Sequence, residues 1–255
     1  MKNRNNDQAL SDLQKTLYES KNPVRRWLHT SRRDLIIRLI NNATLENIQS
    51  AIEVGPGSGV YIPTLCTRCE EVTALDVELS HLNAIAPFKK KYSNLSLVHK
   101  DLTEVGATSQ YDLVVCSEVL EHVPNPALFV ESLSISTKIG GVLILSTPQP
   151  FSIIELVCRI GLSKPLIKVV RKIYGEPVLP TGHISLTSRT RILELLSRNR
   201  YKVIESHVLG LYFPFLAEFG GETAVTILAR IEKMMQIFGI TWPMWTQVYV
   251  AVKEA

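Results

Sequence analysis

The stretch Ala51-Ile52-Glu53-Val54-Gly55-Pro56-Gly57-Ser58-Gly59 runs from an apolar segment into a turn with three glycines. The apolar part predicts a buried strand, and the residues after Gly59 predict a helix. Glycines at such a strand-to-helix turn let the backbone approach a ligand where a Cβ atom would collide. A plain tight turn would need the same residues, so this stretch by itself predicts the local fold and leaves the function open.

The spacing of these glycines argues against a dinucleotide site. A dinucleotide fold would show G-x-G-x-x-G, whereas here the third glycine comes one residue early and Val60 holds its place. Glu53, two residues before the turn, would also repel a bound pyrophosphate. The carboxylate favours a ligand that presents a cation or an ammonium group.

Two further acids follow the next two predicted strands. Asp76 ends the strand after the glycine turn, where a carboxylate can accept both ribose hydroxyl hydrogens, and Asp101 ends the third strand, where an adenine amino group would lie. Each acid alone could instead cap a helix. Carboxylates or glycine turns at three successive strand ends favour a ligand site at the carboxyl edge of a sheet.

The rest of the chain alternates β-rich and helical runs, which predicts βαβ units and a mainly parallel sheet. The predicted strands are Gln49–Gly55, Glu71–Val77, Leu95–Asp101, Tyr111–Ser117, Gly141–Pro148, Tyr201–Val208 and Gln247–Glu254. The predicted helices between them are Val60–Cys69, Leu79–Tyr92, Pro126–Thr137 and Ser188–Asn199. Residues 1–48, predicted as two helices with the second starting at Pro23, and the insertions 149–186 and 209–246 lie outside this alternation.

Composition sets the class of protein. The chain has 255 residues, of which 45% are hydrophobic and 20% charged, with a formal net charge of +4, and this excludes a disordered or collagen-like chain. The polar start MKNRNNDQAL shows no secretory signal, and the four cysteines are too few for a disulfide framework, so we expect a cytoplasmic protein. Cys66 and Cys69 have CxxC spacing without a second pair, which favours core packing over a zinc site.

These motifs together resemble the class I S-adenosylmethionine-dependent methyltransferases. Glu53, Gly55, Gly57 and Gly59 match the E-x-G-x-G-x-G element of that family, and Asp76 and the pair Asp101-Leu102 match its later acids. The run YDLVVCSEVLEHVPNP is similar to the Y-D-x-V-x-x-x-x-V-x-E-H-x-x-D-P run of the ubiquinone-biosynthesis-like branch, with Asn125 where Asp is usual. GGVLILSTPQP and GHISLTSRTRILELLSRNRYKVIE resemble later elements of the same branch.

The resemblance implies an α/β, Rossmann-like fold with a seven-stranded, mostly parallel sheet, an antiparallel last strand and helices on both faces. Residues 1–48 would form an N-terminal helical cap, and 49–255 the methyltransferase domain with two lid insertions. The cofactor would be S-adenosyl-L-methionine and the product S-adenosyl-L-homocysteine. The residues expected at the cofactor are Glu53, Gly55, Pro56, Gly57, Ser58, Gly59, Asp76, Val77, Asp101, Leu102, Ser117 and Glu118.

Methyl transfer from a sulfonium is an in-line displacement, in which the protein mainly positions the reactants. A hydroxyl acceptor gains from a general base, and His122, after the fourth strand, and His183, ahead of a helix, are the candidate catalytic residues. The other histidines, His29, His81, His99 and His207, are expected to be superficial or structural. Glu118, Glu121 and His122 could present ligands to a divalent cation, but a structural cluster is favoured and no metal is expected.

The acceptor is expected to be a small, apolar or aromatic molecule methylated at oxygen. The alternatives are carbon or nitrogen methylation of a quinone, sugar or natural-product intermediate, and a cofactor-binding scaffold without turnover. Arg159, Lys164, Lys168, Arg171 and Lys172 make residues 151–174 a basic amphipathic segment, which could rest on an anionic membrane or form an apolar lid. No basic and aromatic stripe points to nucleic acid, and the sequence leaves the oligomeric state open.

Overall fold

The computed structural model describes residues 17–43, 48–104, 110–161 and 184–255. The strands are β1 (Ser50–Val54), β2 (Glu71–Asp76), β3 (Leu95–His99), β4 (Tyr111–Ser117), β5 (Thr137–Pro148), β6 (Tyr201–Leu209) and β7 (Thr246–Lys253). The helices are α1 (Pro23–Asn41), α2 (Ile62–Arg68), α3 (Leu79–Ile85), α4 (Pro126–Ser136), α5 (Ile153–Gly161), α6 (Arg189–Arg198), α7 (Pro214–Phe219) and α8 (Gly221–Ile237). Short 3-10 turns cover Ala86–Lys90, Leu102–Glu104 and Leu120–His122.

The described strands form one seven-stranded sheet in the order β3-β2-β1-β4-β5-β7-β6. Strands β1 to β5 run parallel, and β7 lies antiparallel between β5 and β6. The predicted Rossmann-like fold with an antiparallel last strand is confirmed. The chain order reverses between β1 and β4, the kind of position at which open α/β sheets bind ligands, outside the carboxyl ends of the strands.

Helices cover both faces of the sheet. On one face, α1, α2 and α3 pack on alternate residues of the strands, as in the cluster Ile36, Ile40, Leu65, Ile85, Leu113, Ile144 and Val250. On the other face, α4 and α6 pack on the intervening residues, as in the cluster Ile52, Val114, Leu133, Leu143, Leu195 and Tyr249. The strands therefore have continuous apolar cores, as in β4 and β5, because both faces are covered.

Helix α1 packs in this core and also contacts the second insertion, residues 209–246. Val24 and Leu28 at its start pack with Leu211, between β6 and α7, and with Leu228 of α8. Three basic side chains of α1 form ion pairs with acids far along the chain: Arg25 with Glu218, Arg26 with Glu222 and Arg32 with Glu118, each with an N–O distance of 2.7–2.9 Å. These ion pairs therefore anchor α1 to the second insertion and to the loop after β4. The division at residue 48 stays a prediction.

Two boundaries differ from the predicted ones by several residues. The helix predicted over Leu79–Tyr92 ends as α-helix at Ile85, because Pro87 cannot donate a helical hydrogen bond, and continues as a 3-10 turn. Strand β5 starts at Thr137 rather than at the predicted Gly141, so it also includes Gly140. The structure shows side-chain caps at the starts of two helices: Asn125 accepts a hydrogen bond from Leu128 N at α4, and Ser188 accepts one from Arg191 N at α6.

Both insertions contain helices. Residues 149–186 contain α5, and residues 162–183, with Lys164, Lys168, Arg171 and Lys172, lie outside the described residues. Residues 209–246 contain α7 and α8. None of the helices in the described ranges has the length and apolar character that crossing a membrane requires.

Candidate functional site

The glycine turn has the backbone that its sequence predicts. Gly55, Gly57 and Gly59 have φ values of 69°, 52° and 73°, a left-handed region that favours glycine. A Cβ at Gly55 would lie 2.4 Å from Cγ2 of Val119, and one at Gly59 would lie 2.6 Å from Cγ2 of Ile85. The glycines therefore also allow the turn to pack closely against the loop after β4 and against α3.

Glu53 is a buried carboxylate with a free oxygen at the end of β1. Its side chain is 2% exposed, and Oε2 has no hydrogen-bond partner among the described residues. Burial and the nearby Asp76 carboxylate raise the pKa of Glu53 well above its ordinary value. An unpaired buried carboxyl group is costly, so this position suits a ligand that supplies a cation or a hydrogen-bond donor.

Asp76 ends β2 beside Glu53 and is held by two donors. Its Oδ1 accepts a hydrogen bond from the backbone N of Glu78 at 2.8 Å, and its Oδ2 lies 2.9 Å from Nδ1 of His81. Each carboxylate oxygen has a second lone pair, so both can still accept hydrogen bonds from a diol. His81, predicted to be superficial or structural, is the side chain that orients this acid.

Asp101 lies after β3 in the geometry of a cap. Its Oδ1 accepts hydrogen bonds from both N and Oγ1 of Thr103, each at 2.8 Å. Its carboxyl group is exposed, whereas the next residue, Leu102, is buried at 2% exposure and Val77 is 55% exposed. The capping alternative therefore holds for Asp101, and an exposed carboxylate oxygen still faces solvent beside the edge of the sheet.

The end of β4 carries a buried polar network. Glu118 has a φ of 57°, rare for a residue other than glycine, and its carboxylate accepts from Ser146 Oγ at 2.9 Å and from Arg32 Nη1 at 2.8 Å. Ser117 Oγ lies 2.9 Å from Ser146 Oγ and 3.4 Å from the hydroxyl of Tyr61. A chain of polar contacts thus links the residue just after the glycine turn to helix α1.

The cluster Glu118, Glu121 and His122 does not converge on one point. Glu118 pairs with Arg32, while buried Glu121 accepts from Thr147 Oγ1 at 3.1 Å, and burial and the charge of Glu118 raise its pKa well above the ordinary value. His122 is about half exposed, with Nε2 3.9 Å from Glu121 Oε1. Within the described ranges, no group of three His, Cys, Asp or Glu side chains could hold a metal ion.

His183, the other predicted catalytic residue, lies outside the described residues. The residues after it are tied to the same loop as His122, because the backbone N atoms of Ile184 and Ser185 donate to Glu121 O at 2.9 and 3.0 Å. A cleft of about 500 Å³ opens beside this segment and is lined in part by Asn125, Phe151 and Arg191. None of the predicted cofactor residues lines it.

A family model described as a methyltransferase domain matches residues 24–206. The chain belongs to this methyltransferase family. The expectation of a class I S-adenosylmethionine-dependent methyltransferase, and of that cofactor, is thereby confirmed.

Curated relatives carry a more specific name. The chain is 28% identical over 193 residues to the ubiquinone biosynthesis O-methyltransferase of Sodalis glossinidius, covering 72% of this chain and 73% of that protein. It is 34% identical over 105 residues to the protein of the same name from Psychrobacter cryohalolentis, covering 39% of this chain and 40% of that protein. The similarity to the second relative thus spans less than half of its length.

Solved structures share the fold at low identity. The N-methyltransferase NodS from Bradyrhizobium japonicum, in complex with S-adenosyl-L-homocysteine, has a TM-score of 0.60 at 14% identity, covering 92% of this chain and 90% of that one. The magnesium protoporphyrin IX methyltransferase of Synechocystis with bound SAM also has a TM-score of 0.60 at 14% identity, covering 95% and 90%. The [4+2]-cyclase SpnF has a TM-score of 0.58 at 14% identity, covering 87% and 81%.

The residues of this methyltransferase fit the cofactor that its family uses. The free oxygen of Glu53 can receive a cationic or donor group, and Asp76 can accept hydroxyl hydrogens. Sequence reasoning missed three members of the surrounding network: Arg32, Tyr61 and Ser146. They come from separate elements and carry no local motif, so the spacing of the sequence alone could not reveal them.

Proposed function

We propose that this methyltransferase transfers the methyl group of S-adenosylmethionine to an oxygen of a small aromatic or apolar acceptor. The observation that carries the proposal is the buried, unpartnered Oε2 of Glu53 near the end of β1, two residues before the first of three glycines with positive φ and beside Asp76. The printed name of the curated relatives, ubiquinone biosynthesis O-methyltransferase, supports oxygen as the accepting atom.

The residues at the carboxyl edge of the sheet would each hold a different part of the cofactor. When bound, S-adenosylmethionine supplies a methyl group on a sulfonium, which is already a strong electrophile. Glu53 would bind its cationic end, Asp76 its ribose hydroxyls, and Leu102 the apolar side of its base, while Asp101 would lie near the amino group. Ser117 and Glu118 close the network at the end of β4, and Val77 lies exposed at the end of β2. The protein's contribution is to hold donor and acceptor in line.

The assignment of His122 or His183 as the general base that deprotonates the acceptor hydroxyl stays a prediction. His122 is half exposed at the loop after β4, so it can exchange protons with solvent. The substitutions His122→Ala and His183→Ala, measured for turnover and for cofactor binding, test this role. Full turnover in both variants with cofactor binding unchanged would exclude both residues as the base.

Two alternatives remain: methylation of a carbon or nitrogen atom, and cofactor binding without methyl transfer. Carbon or nitrogen methylation of a quinone, sugar or natural-product intermediate needs the same cofactor residues. A scaffold that binds the cofactor without turnover also does, and similarity to a structure named as a cyclase illustrates that this fold carries different chemistries.

The experiment separates binding from turnover. Calorimetry with S-adenosylhomocysteine should show one site, and the ligand at about a hundred times its Kd should raise Tm by about 5–10 °C. A screen with methyl-labelled S-adenosylmethionine against phenols, catechols, amines and lipids should then label an oxygen. Absence of binding would contradict the proposed function, and binding without transfer to any acceptor would favour the scaffold.

We also propose that the acceptor is lipidic and that the protein rests on a membrane surface. Exposed apolar side chains support this idea: Ile237 and Phe238 at the end of α8 and Trp242 after it are 74%, 73% and 63% exposed. Arg230 and Lys233 lie on the exposed side of the same helix. Aromatic side chains with flanking cations are typical of segments that lie in the interface of an anionic bilayer.

A further inference from the structure

Helix α1 presents a polar and aromatic cluster toward the carboxyl edge of the sheet. His29 and Arg32 are three residues apart, so they lie on the same side of the helix. Both contact Trp245, just before β7: the His29 ring meets it edge-on at a centroid distance of 5.1 Å, and the Arg32 guanidinium carbon lies 5.0 Å from the ring centre. Tyr18 packs edge-on against His29 at 6.1 Å and closes the other side.

Two buried polar atoms in this cluster have no partner. Nδ1 of His29 and Nε of Arg32 are shielded from solvent, and neither has a hydrogen-bond partner in the part of the chain that the structure describes. Arg32 as a whole is 6% exposed, and its Nη1 is already used by Glu118. Such atoms are rare in folded proteins, and each one costs stability, so two together need an explanation.

The cluster lies on the same side of the sheet as the predicted cofactor residues. Ala51 and Leu113 face α1, α2 and α3, and side chains alternate along a strand, so Glu53 and Ser117 face the same layer. Polar contacts run from Tyr61, after the glycine turn, through Ser117, Ser146 and Glu118 to Arg32. His29 and Arg32 therefore border the edge where a methyl donor would lie.

We propose that Nδ1 of His29 and Nε of Arg32 bind the reacting hydroxyl of an aromatic acceptor whose ring lies against Trp245. The proposal rests on the proposed function and deepens it by naming the acceptor site. A hydroxyl group matches the two atoms, because its oxygen accepts from the Nε–H of Arg32 while its hydrogen is donated to an imidazole nitrogen. An aromatic ring matches Trp245 and the guanidinium, which pack well against π faces.

The charges of the cluster suit this role. Burial, together with Arg32 and Arg25, lowers the pKa of His29 to about 3, so the imidazole is neutral and its lone pair is available at physiological pH. Burial disfavours the charge on Arg32, but Glu118 together with Tyr18, which also forms a side-chain hydrogen bond with Arg32, and Tyr61 outweighs this effect, so the pKa of Arg32 is raised. A fixed cation beside the acceptor oxygen also favours the ionised, more nucleophilic form of a phenol. Tyr18 must move aside for the acceptor to enter.

The test measures acceptor binding apart from turnover. The full chain saturated with S-adenosylhomocysteine is titrated calorimetrically with catechol, and with the dimethyl ether of catechol as a probe that cannot donate a hydrogen bond. His29→Phe keeps a ring against Trp245 but removes the nitrogen, and Arg32→Lys keeps a cation for Glu118 but removes Nε. His207→Phe is the matched control, because His207 lies on β6 and pairs with Glu205 at 2.6 Å.

We expect His29→Phe and Arg32→Lys each to weaken catechol binding by about tenfold to a hundredfold, with S-adenosylhomocysteine binding within about twofold of wild type. His29→Phe should also raise Tm, because it removes an unpartnered buried nitrogen, whereas a structural role would lower Tm. The control should bind catechol as wild type does.

Unchanged catechol affinity in both variants, equal binding of catechol and its dimethyl ether, or no catechol binding by the wild-type complex would overturn the proposal. Arg32→Lys decides the matter alone if His29→Phe does not fold. Failure of the wild-type protein to bind S-adenosylhomocysteine would instead contradict the proposed function, so the two failures are distinguishable.

Discussion

At the scale of single residues, a comparison of two glycines separates the free-energy cost of a left-handed backbone from the cost of a steric clash. Gly55 and Gly140 both have positive φ, 69° and 78°, but a Cβ at Gly55 would lie 2.4 Å from Val119, whereas one at Gly140 would meet nothing within 4 Å. We expect Gly140→Ala to lower the free energy of unfolding by about 1–2 kcal/mol, the cost of the left-handed conformation. Gly55→Ala should cost about 1–3 kcal/mol more because of the clash.

Urea unfolding of the two variants measures the difference, with unchanged m-values as the check on two-state behaviour. Equal losses in the two variants would show that the loop carrying Val119 moves away without cost. In that case the close packing of the glycine turn on the loop after β4 would not constrain the site.

Glu53 predicts how cofactor binding depends on pH. Its pKa is raised in the free protein, so a proton is held at pH values where an ordinary carboxyl group, with a pKa of 4.5, has lost it. A bound cation favours the ionised form, so binding should release a proton and become tighter as pH rises through the raised pKa. The same shift makes the ligand-free protein lose stability as pH rises above the ordinary pKa.

The release is measured by calorimetry with S-adenosylhomocysteine in buffers of different ionisation enthalpy. Glu53→Gln should bind more weakly and release no proton from this site. Glu121→Gln is the matched control, since Glu121 is also buried with a raised pKa but is bonded to Thr147 away from the glycine turn. If proton release persisted in Glu53→Gln but vanished in Glu121→Gln, the proton would come from Glu121, and the assignment to Glu53 would be wrong.

At the scale of elements, two ion pairs of α1 differ sharply in burial. Arg32 and Glu118 have side chains that are 7% and 16% exposed, whereas Arg26 and Glu222 are 39% and 74% exposed. Removing one partner of a buried pair strands a charge, so Arg32→Met should cost about 3–5 kcal/mol of unfolding free energy. Arg26→Met, at an exposed pair, should cost about 1 kcal/mol or less.

The double variant Arg32→Met with Glu118→Met tests the cause of that loss. Because a buried pair replaced by apolar side chains is often close to neutral, the double variant should recover most of the stability lost in Arg32→Met. Thermal and urea unfolding of the wild type, Arg32→Met, Arg26→Met and the double variant would measure the recovery. No recovery would indicate that the lost contact of the Arg32 guanidinium with Trp245, rather than the stranded charge of Glu118, determines the cost.

Elements were predictable from local sequence where a single residue sets a boundary. The sequence predicted the starts of three helices: α1 at Pro23, α4 at Pro126 and α6 after Ser188. Proline and cap residues have strong preferences for these positions. The start of β5 was predicted too late, at Gly141, because the strand extends back to Thr137 by pairing with Tyr111. Such pairing depends on a neighbouring strand and not on local preference.

At the scale of the whole molecule, the site combines residues that are far apart in the chain. The glycine turn and its acids were predictable because each follows a strand in sequence. The pair Arg32–Glu118 was not, because it spans 86 positions and forms only when α1 packs across the sheet. The prediction that His29 is superficial or structural assigned no role to the unpartnered nitrogen, which only the packing against Trp245 and Tyr18 reveals.

The distribution of exposed apolar surface predicts how the whole molecule meets a membrane. Flotation with vesicles containing anionic lipid should carry wild-type protein upward, and the double substitution Ile237→Asp with Phe238→Asp should reduce that binding about tenfold or more, because two large apolar groups no longer enter the interface. Ile139→Asp is the matched control. Ile139 is 68% exposed but lies near the start of β5, whose Thr137 pairs with the first residue of β4, at the opposite edge from the cofactor residues. Equal loss in both variants would show non-specific adhesion, and no flotation of the wild-type protein would contradict the proposed membrane contact while leaving methyl transfer to water-soluble phenols intact.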